Sequence, residues 1–393
     1  MVKLLKSIAE NPRVKQLGPG LITGAADDDP SGIATYSQAG AQFGFSMLWT
    51  VLVTYPLMVG IQMVSARLGC ITGRGLAANV KAVFPRSVLY GIVGLLLIAN
   101  TINIAADIAA MGEALRLLLG GSAHLYSVAF GVLCLGLQVF LRYADYVRYL
   151  KWLTLALLSY VAVIFTVHVP WGAVASEMVM PRLVLDHNTI SMIVAVFGTT
   201  ISPYLFFWQA AQEMEDLRAV TARSGGGSLL PHAAEVARQH LRRIRWDTYI
   251  GMGFSNLIAF FIILSTAATL HSAGVTDIQT SAQAAEALRP IGGQTTFLLF
   301  SLGIIGTGLL SLPVLAGSAA YAFGEAHGWK CGLENKPWEA VGFYSVIAAA
   351  TLLGIGIDFS PLDPIKALFW SAVINGFVAV PVMAVAALAM LIV

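Results

Sequence analysis

Long apolar stretches constrain this sequence more than any other feature. A helix that crosses a lipid bilayer needs about 20 apolar residues, and about ten such stretches occur here, bounded by charged or turn-forming residues. They are predicted at 17–43, 45–66, 88–118, 122–141, 148–170, 189–213, 247–271, 293–323, 338–357 and 365–391. Only 11% of the residues are charged, which is less than half of the fraction typical of a soluble protein. The chain is therefore predicted to be an all-α integral membrane protein embedded in the lipid bilayer.

The basic residues predict how the chain is oriented, because cytoplasmic loops of membrane proteins carry an excess of Lys and Arg. If the N-terminus is cytoplasmic, 19 of the 23 Lys and Arg residues fall in inner segments. Both termini are therefore expected to be cytoplasmic. Short loops and the lack of a targeting segment favour a bacterial inner (plasma) membrane. Residues 214–246 are predicted to form a cytoplasmic loop between spans 6 and 7, with a short basic amphipathic piece at 232–243.

Several classes of function are disfavoured by composition and by missing motifs. A formal charge of +2 is too small to indicate a nucleic-acid partner. The three cysteines are widely separated, so neither a disulfide framework nor a zinc or iron–sulfur cofactor is predicted. No HExxH motif, Ser/His/Asp grouping or phosphate-binding glycine loop is present, so an enzyme is not expected.

Span 1 contains a run that lipid would not tolerate on an exposed face. Asp27, Asp28 and Asp29 lie in mid-span and are followed by Pro30 and Gly32. Proline cannot donate a backbone hydrogen bond and disfavours helix at the preceding residue, so the helix is predicted to unwind around 29–32. Freed carbonyls beside an ionised Asp would form an oxygen-rich pocket for a hard cation. The alternative is that the acids lie at the outer surface and Pro30 only kinks the helix.

Span 6 contains a second interruption, the segment Phe197–Tyr204, which includes Gly198, Ser202 and Pro203. A proline kink rich in Ser and Thr is common in membrane helices and is weak evidence alone. Spans 1 and 6, however, are the first helices of two halves with five spans each, at 1–170 and 189–393. Interrupted helices at matching positions of two inverted halves indicate a transport site at their interface.

Span 3 carries a polar stripe formed by Asn100, Asn103 and Asp107 at helical spacing. Two interpretations remain open for this stripe: hydrogen bonding between helices, or the wall of an ion path.

The sequence resembles the NRAMP family of divalent metal transporters. The segments that resemble the family are residues 18–20, residues 29–40, the Pro203 break, Asp247-Thr248 and residues 309–311. Together they extend over nearly the whole chain. It implies a LeuT-type fold of two inverted five-helix repeats with broken helices 1 and 6, and transport of a divalent cation by alternating access. Family members hold the ion through an Asp, an Asn, a backbone carbonyl and a Met.

Alignment on the two prolines puts the Asp at Asp29, the Asn at Gly32, the carbonyl at Thr199 and the Met at Ser202. Ser202 replaces a soft thioether by oxygen, which favours a hard ion. Gly32 removes a side-chain ligand and is expected to open space for an ion that keeps several waters, as Mg²⁺ does. Asp28 is expected to face the ion pathway.

The positions that couple protons in the family hold Tyr36, Tyr204, Gln209, Asp107 and Ala110 in this chain. Of these residues, Asp107, Tyr204 and Gln209 are expected to line the ion pathway. Because these positions lack a His and a paired carboxylate, proton coupling is not expected. The substitutions resemble the magnesium-transporting branch of the family, whose members act as uniporters.

The prediction is a monomeric Mg²⁺ or Mn²⁺ uniporter that needs no cofactor. A proton-coupled Mn²⁺ or Fe²⁺ symporter that relies on Asp107 is the alternative. A sodium-coupled amino-acid carrier is more remote, because three acids at the break oppose a substrate carboxylate.

Overall fold

The computed structural model describes residues 19–141, 153–181, 184, 186–223, 233–278, 280–291, 293–360 and 363–392. Within these ranges the regular secondary structure is helical and contains no strand. The α-helices, in chain order, are α1 Pro19–Asp27, α2 Pro30–Phe43, α3 Trp49–Thr72, α4 Leu76–Val83, α5 Arg86–Leu119, α6 Ala123–Phe140, α7 Leu158–Ile164, α8 Trp171–Val179, α9 His187–Thr200, α10 Pro203–Arg223, α11 Ala233–Thr269, α12 Ser281–Glu286, α13 Gly293–His327, α14 Val341–Asp358 and α15 Pro364–Ile392. Short 3₁₀ helices lie at Gly44–Met47, Leu153–Leu157, His271–Ala273 and Arg289–Ile291.

Eight helical segments of the described chain are long and apolar enough to cross a membrane. They correspond to predicted spans 2, 3, 4, 6, 7, 8, 9 and 10. Predicted span 1 consists of two shorter helices, α1 with 9 residues and α2 with 14. Predicted span 5 overlaps α7, and its first residues, 148–152, lie outside the described residues. The prediction of an all-α, multi-pass membrane protein is confirmed.

The broken helices lie in the interior of the helix bundle. Helix α11 packs against both α1 and α2, while α9 packs against α15 and α10 against α3. On the far side, α5 packs against α13, α14 and α15. Residues 30–37 of α2 are all buried, whereas large apolar side chains such as Ile98 and Phe140 project outward, as lipid-facing residues do. The two helix breaks are therefore enclosed by protein.

The predicted loop at 214–246 needs correction at both ends. Helix α10 continues to Arg223 and α11 begins at Ala233, so helical structure extends well past both predicted span ends. Polar helix formers fill these extensions, and Arg243 forms ion pairs with Glu213 and Asp216, which join them side by side. Part of the predicted basic piece at 232–243 is thus the first turns of a 37-residue helix.

The unwinding in span 1 also lies earlier than expected. It occupies Asp28 and Asp29, and Pro30 begins α2 instead of lying in the unwound segment. Proline suits the first position of a helix because its missing N–H would be unpaired there in any case. The proline therefore marks where the helix restarts.

Candidate functional site: two helix breaks facing each other

Asp29 connects α1 to α2 and caps the second helix. Its backbone is extended, with φ −67° and ψ 169°, and its Oδ1 accepts hydrogen bonds from the Gly32 amide at 2.7 Å and the Ser31 hydroxyl at 2.8 Å. An Asp at this position satisfies amides that a helix start leaves unpaired, and the positive end of the helix dipole stabilises its charge. The break therefore fixes the orientation of the Asp29 carboxylate.

At the second break, too, the new helix begins with a proline. Ile201 and Ser202 separate α9 from α10, and Pro203 is the first residue of the new helix. The Ser202 hydroxyl lies 2.8 Å from the Thr199 carbonyl oxygen and 3.2 Å from the Gly198 carbonyl oxygen, so its one proton is shared between the last turn's carbonyls. Ser202 and the Thr199 carbonyl, two of the predicted ion ligands, are therefore adjacent.

Four hydrogen-bond contacts bring the two breaks together. The Tyr204 hydroxyl lies 3.2 Å from Asp29 Oδ2 and 3.3 Å from the Ala26 carbonyl oxygen. Ser31 Oγ lies 3.4 Å from Thr199 Oγ1. The Tyr36 hydroxyl lies 2.8 Å from Thr200 Oγ1. Since Thr200 donates its own proton to the Val196 carbonyl, Tyr36 is the donor to Thr200. The break in span 1 thus faces the break in span 6, and oxygen atoms line the contact.

The space expected at Gly32 is absent from this conformation. A Cβ atom added at Gly32 would lie 3.3 Å from Thr199 Oγ1 and 3.4 Å from both the Asp27 carbonyl oxygen and the Tyr36 ring. Those distances are tight for a methyl group, so the neighbouring residues already fill the room that the glycine leaves. Gly32 lets α2 approach α9 closely here, which corrects the expectation of an open cradle.

The polar stripe of span 3 faces α13. Asn100 donates to the Leu315 carbonyl and to Ser318 Oγ, both at 2.8 Å, and Asp107 accepts from Ser311 at 3.1 Å. Hydrogen bonding between helices accounts for Asn100. Asp107 is fully buried and interacts electrostatically with Asp29, so it lies near the break. Ala110, one turn further along, is also buried.

Gln209 takes part in a different arrangement, at the face predicted to be cytoplasmic. It accepts a hydrogen bond from Thr23 at 2.6 Å and donates to Glu213 at 3.1 Å, and Glu213 pairs with Arg243 at 2.5 Å. This chain of contacts joins α1, α10 and α11. Sequence reasoning missed the Glu213–Arg243 pair, because 30 residues separate its members and neither lies in a motif.

The electrostatics of the site are dominated by buried carboxylates. Asp27, Asp28, Asp29 and Asp107 are each at most 1% exposed, and none of the ion pairs in the described ranges involves them. No three His, Cys, Asp or Glu side chains of the described chain converge as a metal site. An ion at the breaks would therefore be held by Asp29 together with hydroxyl groups, carbonyl groups and water.

A cavity of about 210 Å³ approaches the breaks from the face predicted to be outer. Ala34 and Gln38 of α2, Ser191 of α9 and Phe369 of α15 lie in its wall. Ala34 is one helical turn beyond Pro30, so this cavity reaches nearly to the depth of the break.

Comparison with known proteins identifies the family. The model of the natural resistance-associated macrophage protein-like (Nramp) family matches residues 20–392. The divalent metal cation transporter MntH of Yersinia pestis (strain Pestoides F) is 28% identical over 313 residues, which cover 77% of this chain and 70% of that protein. MntH of Klebsiella pneumoniae (strain 342) is 27% identical over 313 residues, with coverage of 78% and 71%.

Solved structures show the same fold. A crystal structure of the Eremococcus coleocola manganese transporter, a histidine-to-alanine mutant, matches with a TM-score of 0.70 at 17% identity, covering 97% of this chain and 80% of that one. Mhp1, a nucleobase-cation-symport-1 family transporter in a closed conformation, matches with a TM-score of 0.59 at 13% identity, covering 90% and 74%.

The chain thus has the fold of these solved transporters, and its curated relatives are named as metal transporters, which points to a transporter rather than an enzyme. Because the family model covers nearly the entire sequence, the chain belongs to the Nramp family.

Proposed function

We propose that this protein carries a hydrated divalent cation, Mg²⁺ and also Mn²⁺, into the cell by alternating access and without proton coupling. The observation that supports this most is the chemistry of the two facing breaks. Within the described part of the chain, the hydrogen-bond partners of Asp29, Thr199 and Ser202 are hydroxyl, amide and carbonyl groups, and none is an imidazole. Relatives of the chain are named as divalent metal cation transporters.

The preference for a hard ion follows from the donor atoms. Ser202 supplies an oxygen where the family resemblance implies a thioether, and oxygen donors suit Mg²⁺ and Mn²⁺ more than late transition metals. Mg²⁺ gives up its water reluctantly and is commonly bound by one or two carboxylates. Asp29, which is 1% exposed and oriented by three hydrogen-bond donors, is the carboxylate for this role.

Uptake into proteoliposomes tests the site. We expect Asp29→Ala to abolish Mg²⁺ and Mn²⁺ uptake, measured with an encapsulated metal-sensitive dye, because it removes the one charged ligand. Glu286→Gln is the matched control, since this carboxylate is 42% exposed and pairs with an 81% exposed Arg289, so its loss should leave uptake unchanged. Uptake by Asp29→Ala at the rate of the unaltered protein would refute the assignment.

Asp107 supports the second candidate, proton-coupled transport of Mn²⁺ or Fe²⁺. Its carboxylate is fully buried near Asp29 and is available to carry a proton between conformations. A pH-sensitive dye inside the same liposomes separates the two candidates. Acidification of the interior during metal uptake, lost in Asp107→Asn, would establish the symporter and overturn the uniporter.

A further inference from the structure

Two carboxylates that the Asp29 site does not use lie together at the C-terminal end of α1. Asp27 and Asp28 are 0% and 1% exposed, and both face Ser255 of α11. Ser255 Oγ lies 2.8 Å from Asp27 Oδ2 and 3.1 Å from Asp28 Oδ1. One hydroxyl group from a neighbouring helix thus contacts both acids.

This cluster has fewer hydrogen-bond donors than carboxylate oxygens. A serine hydroxyl has one proton, so it can fully satisfy only one of the two carboxylates. The other two oxygens, Asp27 Oδ1 and Asp28 Oδ2, are buried and have no hydrogen-bond partner in the described part of the chain. No described Lys, Arg or His side chain forms an ion pair with either acid. Four carboxylate oxygens therefore share a single donor.

Two ionised carboxylates without a counter-charge are unfavourable in this buried environment. An unpaired buried carboxylate is strongly destabilised, and two adjacent carboxylates repel each other. The C-terminal end of α1 adds the negative end of a helix dipole, which also favours a bound cation. A cation among these oxygens would remove all three penalties together.

The helix crossing beside the acids gives the cluster a fixed shape. Gly24 of α1 lies directly against Gly251 of α11, where an added Cβ would come within 2.9 Å of Gly251 Cα. Asp28 follows Gly24 by one helical turn, and Ser255 follows Gly251 by the same spacing. The close crossing therefore holds the acids and the serine at hydrogen-bond distance.

We propose that Asp27, Asp28 and Ser255 form a second site for a hydrated hard divalent cation, separate from the Asp29 site. Carboxylate and hydroxyl oxygens with retained water are the ligands that Mg²⁺ and Mn²⁺ take. The two sites use different surfaces: Asp29 is bound to residues of α2 and α10, whereas Asp27 and Asp28 face α11. This inference concerns equilibrium binding and does not depend on transport.

Mn²⁺ binding to the purified full chain in detergent tests the proposal, with free Mn²⁺ measured by electron paramagnetic resonance. We expect the unaltered protein to bind two Mn²⁺ ions, and the Asp27→Asn/Asp28→Asn variant to bind one. Ser255→Ala changes no charge, and it should weaken one of the two sites by about 10-fold to 100-fold, since loss of an orienting partner typically has that effect. Ser265→Ala is the control, because the one hydrogen bond of its buried hydroxyl within the described residues goes to the Ile262 carbonyl on the same helix.

The outcomes separate this proposal from the proposed function. Loss of one ion in Asp29→Asn and of the other in Asp27→Asn/Asp28→Asn supports both sites. If Asp29→Asn binds two ions while the double variant binds one, the second site stands and the Asp29 assignment fails. A single Mn²⁺ in the unaltered protein that the double variant retains, or two in the double variant, overturns the second site, whereas a single Mn²⁺ that the double variant loses and Asp29→Asn keeps leaves the second site standing and refutes the Asp29 assignment. If the double variant does not fold, unchanged affinities in Ser255→Ala overturn the proposal.

Discussion

Gly24→Ala tests the packing that positions the carboxylates at the break. A Cβ atom at this position would lie 2.9 Å from Gly251 Cα and closer still to the Gly251 carbonyl carbon and oxygen. Carbon atoms in good contact are about 3.5–4.0 Å apart, so α1 and α11 would have to separate by about 1 Å. The obstacle is backbone, which cannot move aside as a flexible side chain can. The substitution therefore has to displace a helix.

The displacement has a second consequence at Ser255. Its contacts with Asp27 and Asp28, now 2.8 and 3.1 Å, would lengthen to about 4 Å, beyond the range of a hydrogen bond. Overpacking typically costs about 1–3 kcal/mol, and a hydrogen bond to a charged group contributes about 1.5–3 kcal/mol. Because the two effects share one cause, they do not simply add. We expect a loss of about 3 kcal/mol in the free energy of unfolding.

Denaturation of the purified protein in mixed micelles, followed by tryptophan fluorescence, measures this loss. Gly60→Ala is the matched control, because no atom of the described residues lies within 4 Å of a Cβ added at Gly60 in the interior of α3. Alanine is the better helix former by up to about 1 kcal/mol, so this control should be unchanged or more stable. If Gly24→Ala is as stable as Gly60→Ala, α1 and α11 do not cross at these glycines and the reasoning is refuted.

Two further substitutions test the network at the predicted cytoplasmic face and the choice of ion. Arg243→Gln should lower the free energy of unfolding by about 3 kcal/mol, because it leaves the 1% exposed Glu213 without its cation. The double variant Arg243→Gln/Glu213→Gln should recover most of the lost stability in the same unfolding assay. A change below about 0.5 kcal/mol in Arg243→Gln alone would show that the ion pair contributes little to stability. Ser202→Met should make Cd²⁺ a stronger competitor of Mn²⁺ uptake, since a thioether favours softer metals. Ser202→Ala serves as its control, and equal Cd²⁺ competition in both variants would contradict a role for residue 202 in ion selection.

The chemistry of the helix breaks could be predicted from the sequence because it is local. Proline at 30 and 203 lacks the amide that a continuous helix requires, and Asp29 supplies the oxygen that a new helix start needs. The predicted position of this break, 29–32, starts one residue and ends three residues after the break that the structure has at Asp28 and Asp29. Proline interrupts a continuous helix, but it is also well suited to the first position of a new helix. The sequence prediction took only its helix-breaking property into account.

Other features of the site depend on residues that are distant in sequence. Ser255 meets Asp27 and Asp28 across 228 and 227 residues, and no spacing rule connects them. The space beside Gly32 is likewise limited by Thr199 and Tyr36, and Thr199 belongs to the other half of the chain. The sequence predicted a deleted ligand at Gly32, but the neighbouring helix determines whether that deletion leaves a cavity.

The sequence by itself determined that the protein is a membrane-embedded bundle of helices, since 57% hydrophobic and 11% charged residues allow no soluble fold of this length. It also determined where two of those helices are interrupted, because proline and its capping residue act within one turn. Only the tertiary structure decided which groups meet across the interruptions, which carboxylates share Ser255, and that Glu213 pairs with Arg243. Those contacts depend on how helices far apart in the chain cross one another, and the distances at a crossing are set by packing, which the pattern of a single helix does not encode.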